Sequence, residues 1–308
     1  MTDPFNRDPS VDYGRAVRLA PQVRRITVRN PSPMTFTGTQ TYLAGEGAVA
    51  VIDPGPVSDE HCRAILDALA PGERVAAILL THTHVDHSPG AAALKAATGA
   101  PTFAFGAHGA GMSETMRQLA ASGADLGGGE GADRAFAPDE VVRDGDIVEV
   151  GDLRLAAHHT PGHLSNHLAY AGPDGALFTG DLVMGWATTL VSPPDGDMAA
   201  FLTSLDWLGG RSDEVYYPGH GHEITRPLEM VAHQKAHRAG RRAQILDALR
   251  SEGSADPMAL TRAIYTDIDP ALHGAAARNV FATLLGLLDE GVCGVEGALT
   301  PGARFYVR

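Results

Sequence analysis

Residues 81–87 read THTHVDH, and four metal-seeking side chains (His82, His84, Asp86 and His87) fall within six consecutive positions. Coincidental surface histidines are a poor account of that crowding. His82 and His84 leave the same side of an extended segment and can meet one ion. Asp86 and His87 come one turn later and can supply a second ion. A hydroxide shared between two ions is available near neutral pH, because the metals lower the pKa of bound water.

The flanks place this motif in a fold. Residues 75–80 (VAAILL) form a short, wholly apolar run that fits a buried strand. The donors therefore sit at the C-terminal end of a strand, where layered α/β folds commonly hold ligands. Upstream, residues 23–28, 41–44 and 47–53 read as strands, the last two joined by the turn Gly45-Glu46-Gly47. Residues 58–70 read as a helix capped by Ser58, and 91–97 as a helix closed by Gly99. A strand follows at 101–105. Residues 122–134 are a glycine-rich loop, expected to be mobile and lacking a phosphate-loop pattern. Strand signals return at 147–150, 153–158, 167–170 and 176–179, and helices at 197–208 and 227–250.

Composition fits one large domain with a smaller one. The chain has 308 residues, 44% hydrophobic and 20% charged, enough for a sizeable core. No apolar run approaches the roughly 20 residues of a membrane span, and the N-terminus lacks the pattern of a secretory signal. Two distant cysteines, Cys62 and Cys293, fit a reduced, cytoplasmic setting. Residues 1–220 carry 14 Lys+Arg against 27 Asp+Glu, whereas residues 221–308 carry 10 of each. The whole net charge of −13 thus belongs to the larger part, which makes nucleic acid an unsuitable generic partner.

Further donors stand where strands end: His163 in TPGH (160–163), Asp181 in FTGD (178–181) and His220 in YYPGHGH (216–222). Any one of these could be an ordinary turn residue. Together with Asp53-Pro54-Gly55 and THTHVDH they resemble, in order and over nearly the whole chain, the metallo-β-lactamase superfamily. The resemblance implies an αββα sandwich with the site at one edge of two sheets. It implies one zinc ion on His82, His84 and His163, a second on Asp86, His87 and His220, and Asp181 as the bridge. Asp53 matches the aspartate that supports the metal loop by hydrogen bonding.

Within the superfamily the chain is similar to β-lactamase-like proteins with a winged-helix tail. Residues 31–44 match, with Gln40 where Asn is usual, and so do GDLVMGW (180–186), SPPDGD (192–197) and 237–249. The expected organisation is a catalytic domain over 1–228 and a winged-helix-like domain over 229–308, built from helices at 229–250, 257–265 and 271–290 and a terminal hairpin. The expected activity is hydrolysis of a small ester, thioester or lactone. The alternatives are a single-strand endoribonuclease, as in one member type, and a mononuclear iron oxygenase using His82, His163 and Asp181.

Asp86 and Asp181 are candidates for orienting the attacking hydroxide, with Asp86 put forward as the catalytic residue. His167 and His222 are candidates for proton donor, although His167 also reads as a strand residue with a satisfied ring. Met184 and Trp186 follow Asp181 into a loop and are candidates for the substrate pocket. The third tail helix would be the recognition helix of a DNA-binding winged helix, yet it holds a single Arg278 and ends in Asp289 and Glu290. The tail therefore reads as structural: packing on the catalytic domain, shaping the pocket wall or forming a homodimer contact. Arg238, Arg241 and Arg242 form one basic cluster, read as a solvated helix face.

Overall fold

The computed structural model describes residues 3–122 and 131–308. Two sheets face each other with helices on both outer faces. The first sheet has seven strands in sequence order: β1 (Val17–Ala20), β2 (Val23–Thr27), β3 (Gln40–Ala44), β4 (Ala48–Ile52), β5 (Arg74–Leu79), β6 (Thr102–Ala104) and β7 (Glu140–Val141). β1 to β4 pair antiparallel, and β4 to β7 pair parallel. The β3–β4 turn needs left-handed backbone, which Gly45 and Gly47 supply. The second sheet has the order β12-β11-β10-β9-β8, formed by β8 (Ile147–Val150), β9 (Leu153–His159), β10 (Leu168–Ala171), β11 (Ala176–Gly180) and β12 (Val215–Pro218). Its β11–β12 pair is parallel and the rest antiparallel.

Alternation along the strands divides the interior into layers. Tyr42, Ile52, Leu79, Leu155, Leu168, Tyr170 and Phe178 meet between the sheets. The outer face of the first sheet presents Ile26, Leu43, Val51 and Ile78 to α1 (Asp59–Asp67) and α2 (Gly90–Thr98). Ser58 accepts a hydrogen bond from His61 N to cap α1, and Gly99 ends α2 with a positive φ. The outer face of the second sheet offers Ala169, Leu177 and Tyr216 to α4 (Met198–Gly209). The result is the expected αββα order.

A separate apolar cluster holds the tail. It joins α5 (Pro227–Glu252), α6 (Pro257–Ile264), α7 (His273–Asp289) and the hairpin β13 (Cys293–Glu296) and β14 (Arg304–Val307) through Ile245, Leu260, Phe281, Leu284 and Phe305. This is the expected three helices and hairpin. Two features differ from the sequence reading. Met116 and Leu119 of α3 (Glu114–Ala121), a helix the sequence reading lacks, insert into this tail cluster. And α5 serves both cores: Met230 and Val231 pack with α4, whereas Ile245, Leu246 and Leu249 pack with the tail. A division at 228/229 would fall within the first turn of this continuous helix. Pro270–Asp289 is apolar enough by length and composition to cross a membrane, an exception to the expectation above, but Val280, Phe281, Leu284, Leu285 and Leu287 are buried in the tail cluster. Most of the glycine-rich stretch 122–134 lies outside the described residues.

Candidate metal centre

The parallel pairs β4–β5 and β11–β12 bring strand ends to one edge of the sandwich. THTHVDH leaves β5 there, Asp53 follows β4, Asp181 follows β11 and His220 follows β12. The two sheets are stitched together at that edge. Leu168 N donates to Thr81 O (2.7 Å), Gln40 N to Gly219 O (2.8 Å), and Tyr42 Oη to Pro218 O (2.7 Å). Gln40 also donates from Nε2 to Gly221 O (3.1 Å), so it ties down the His220 loop. Gly219 is required by proximity: a Cβ there would collide with Asp181 Oδ1 and His87 Cε1.

The structure gathers all seven expected donors. His82, His84, His163 and Asp181 offer atoms within 4.8 Å of one another, and so do Asp86, His87 and His220. His82 Nε2 and His163 Nε2 lie 2.9 and 3.0 Å from His84 Nδ1. Around a tetrahedral ion with bonds of about 2.0–2.1 Å, neighbouring donors stand roughly 3.3 Å apart, so this spacing suits one ion. Asp86 Oδ2 is 3.4 Å from His87 Nε2 and 3.3 Å from His220 Nε2. Asp181 Oδ2 lies between the two groups, 3.2 Å from His220, 3.5 Å from His163, 3.7 Å from His87 and 3.9 Å from His82.

The rear of four of the five rings, all but His84, is fixed by a hydrogen bond, as metal-binding histidines commonly require. His87 Nδ1 donates to Asp53 Oδ2 (3.0 Å), His163 Nδ1 to Leu190 O (2.7 Å), and His220 Nδ1 to Gly38 O (3.2 Å). Asp53 also accepts from Thr81 N (2.7 Å) and from Thr81 Oγ1 (2.6 Å). Thr81 Oγ1, its proton committed to Asp53, accepts from His82 Nδ1 (3.0 Å). One carboxylate thus orients two rings, and it does so with a positive φ of 52°. Each of these four hydrogen bonds turns an Nε2 lone pair inward. Asp181 Oδ1 is buried without a hydrogen-bond partner among the described residues. The donor set, its orientation and this orphaned oxygen all fit a metal ion.

Electrostatics divide the cluster. Burial, reinforced by neighbouring rings, pushes His82 well below the ordinary imidazole value and His84 down to about 3; burial also lowers His163. These three are held neutral, the form that ligates. Burial opposes protonation of His87 and His220 too, yet Asp86 and Asp181 raise His87 well above its usual value and His220 to about 9. Burial likewise opposes ionisation of the carboxylates, but His87 pulls Asp86 and His220 pulls Asp181 well below the usual range. Two buried carboxylates therefore attract positive charge at this end of the site.

His167 does not reach the cavity as a proton donor would. It is fully buried, its Nδ1 donates to Thr160 Oγ1 (2.9 Å), and its Nε2 accepts from Asp181 N (3.2 Å). With both nitrogens engaged it positions Asp181, so the satisfied-ring reading describes its surroundings. His222 Nε2 donates to Asp8 O (3.0 Å) and does not line the cavity. Met184 does line the metal cavity. Trp186 does not; it stacks on Phe36 (5.0 Å) and lines an adjoining cavity between the loop 184–190 and α5 and α7.

The metal cavity, of about 250 Å³, has walls the sequence reading did not assign: Met34, Thr35, Leu164, Leu190, Ser192, Asp195 and Arg278. Ser192 and Asp195 lie in SPPDGD, a matched segment whose role needed the fold to show. Asp195 is backed by His108 Nε2 at 3.1 Å. The basic cluster of α5 is not one solvated face. Arg238 is buried and donates to Thr189 O and to Asn279 Oδ1, Arg242 pairs with Glu290, and Arg241 lies over Tyr265 at 4.0 Å. Asn279 Oδ1 also accepts from Val191 N (2.9 Å). Tail residues therefore grip the segment 189–191, whose Leu190 carbonyl holds His163.

An αββα sandwich with clustered His and Asp donors at the shared edge of its sheets defines a class of metal-dependent hydrolases. The comparisons agree: the Metallo-beta-lactamase superfamily matches residues 34–220 and the Beta-lactamase associated winged helix domain matches residues 257–298. The chain belongs to the metallo-beta-lactamase superfamily, as an enzyme of the hydrolase kind. It is 30% identical over 291 residues to a Beta-lactamase-like protein 2 homolog of Caenorhabditis elegans, covering 92% of this chain and 90% of that one. It is 31% identical over 251 residues to an Atrochrysone carboxyl ACP thioesterase of Passalora fulva, covering 79% of this chain and 66% of that relative's length. A Beta-lactamase domain protein from Burkholderia ambifaria shares the fold, with a TM-score of 0.78 at 20% identity, covering 99% of this chain and 97% of that one.

Proposed function

We propose that this chain is a dinuclear zinc hydrolase cleaving a small thioester, ester or lactone. The observation that carries this reading is the position of Asp181 Oδ2, within 3.2–3.9 Å of inward-facing nitrogens from both donor groups. One ion would sit on His82, His84 and His163, the other on Asp86, His87 and His220, with Asp181 shared. When bound, the pair of ions supplies a nucleophilic hydroxide and polarises the scissile carbonyl. Asp86, which accepts from Thr39 Oγ1 at 3.0 Å, would orient the attacking water as well as hold metal. Met34, Leu164, Met184 and Leu190 exclude water and seat an apolar substrate portion. The thioester is preferred because the Passalora fulva relative carries a thioesterase name. Two unpaired thiols, Cys62 and Cys293, support a cytoplasmic setting.

The test is metal analysis joined to a substrate panel. Two equivalents of zinc per chain and turnover of thioesters that stops on chelation are expected. One equivalent of iron with oxygen consumption, or cleavage of RNA alone, overturns the reading.

A further inference from the structure

The cavity that holds the donors is also lined by a cation with no pairing partner among the described residues. Arg278 of α7 lines the same cavity as His84, Asp86, His163, Asp181 and His220. It is partly buried, and its Nε is buried without a hydrogen-bond partner among the described residues. No carboxylate among them lies within ion-pair distance of it, whereas Arg242 has Glu290 and Arg238 has Thr189 O and Asn279. Arg278 immediately precedes Asn279, the tail residue that holds Val191. Its backbone is therefore fixed against the site.

Partly desolvating a guanidinium without an anion is unfavourable, and a planar fork is suited to receiving a carboxylate. The remaining new wall is apolar, from Met34, Leu164, Met184 and Leu190, apart from Thr35, Ser192 and the His108-backed Asp195. Ser192 Oγ is buried without a partner among the described residues and can donate to the same anion. Arg278 and the donors line one cavity of about 250 Å³, so an anion held by Arg278 shares that cavity with the cleaved carbonyl.

We propose that Arg278 is a specificity-determining residue that selects acyl groups bearing their own carboxylate, the acyl chain lying along the apolar wall between that carboxylate and the metals. This rests on the hydrolase reading above. The reaction is unchanged: water adds to the acyl carbon, the carbon–sulfur bond breaks, and the thiol leaves with a proton.

The test compares succinyl and butyryl thioesters of N-acetylcysteamine on the zinc-loaded full chain. These two share chain length and a neutral leaving group. The succinyl thioester is expected to have a kcat/KM on the order of tenfold higher, mostly through KM. In Arg278→Gln that ratio should collapse toward unity, and Arg278→Lys should restore part of it. Equal values for the two thioesters in the wild type, or a ratio preserved in Arg278→Gln, overturns the proposal. Calorimetric titration with succinate, and with butyramide as the carboxylate-free control, reads the same contact without turnover. Succinate should bind the wild type about tenfold more tightly than it binds Arg278→Gln, butyramide equally. If neither thioester is hydrolysed, the thioester preference fails, and equal succinate binding would then remove Arg278 as well.

Discussion

Two walls of one cavity come from opposite parts of the chain and are built differently. The donor wall is made by strand ends whose side chains crowd together in sequence, with four of seven donors in THTHVDH. The opposite wall uses α7, a helix whose residues mostly pack the tail and which turns just Arg278 and Asn279 toward the site. The first wall gathers donors able to hold metal; the second supplies a positive charge of its own. Chemistry is concentrated where the backbone is most tightly determined, and selection is delegated to an element that belongs to another core.

That contrast can be broken at several points. The largest effect belongs to the donors: Asp181→Ala, Asp86→Ala or His84→Ala should each lower kcat/KM by roughly a thousandfold or more, about 4 kcal/mol of transition-state stabilisation. Bound metal should fall in parallel, and unchanged turnover would end the dinuclear reading. Next comes the tail's grip on His163. Asn279→Ala removes the acceptor of Val191 N and of Arg238, and should weaken metal binding about 10–100-fold, as loss of a supporting hydrogen bond does elsewhere. Competition with a chromophoric chelator measures it; wild-type affinity would make the tail a mere neighbour.

A smaller change is expected at His167. His167→Ala should reduce kcat by roughly tenfold while leaving both limbs of the pH–rate profile in place. Disappearance of one limb would restore it as the proton donor. The smallest effect concerns His61, buried in α1 with Nε2 donating to Thr41 Oγ1 (2.7 Å). Burial lowers it to about 4, so the folded chain holds fewer protons than the unfolded chain below about 6.5. Its contribution is complete above the unfolded value and is lost as pH falls toward 4. His61→Gln should flatten the acid loss of stability by on the order of 1–3 kcal/mol in urea unfolding, and an unchanged slope would assign that loss to other groups.

The sandwich and its donors were readable because their causes are local. Residues 75–80 are continuously apolar because β5 is buried on both faces, and each donor follows a strand that runs out at the same edge. Asp53 was readable only through the family pattern; its hold on both Thr81 and His87 is a tertiary fact. Arg278 was misread in emphasis. A lone arginine on an apolar helix argues against a DNA groove, but nothing in its neighbours shows which way it points. The α5 arginines failed as a group for the same reason: positions 238, 241 and 242 face three different environments on one helix. His167 sits four residues past His163, yet just before β10 it is fully buried behind the site, held between Thr160 and the Asp181 backbone.

The hold of Asn279 and Arg238 on residues 189–191 also bears on inheritance. The segment that orients His163 and the helices that clamp it are separated by dozens of positions, but neither is a free module. A gene that exchanged this tail for another would have to bring a matching loop with it, or leave one ring of the metal site without its backing. The two halves of this protein can diverge only in step.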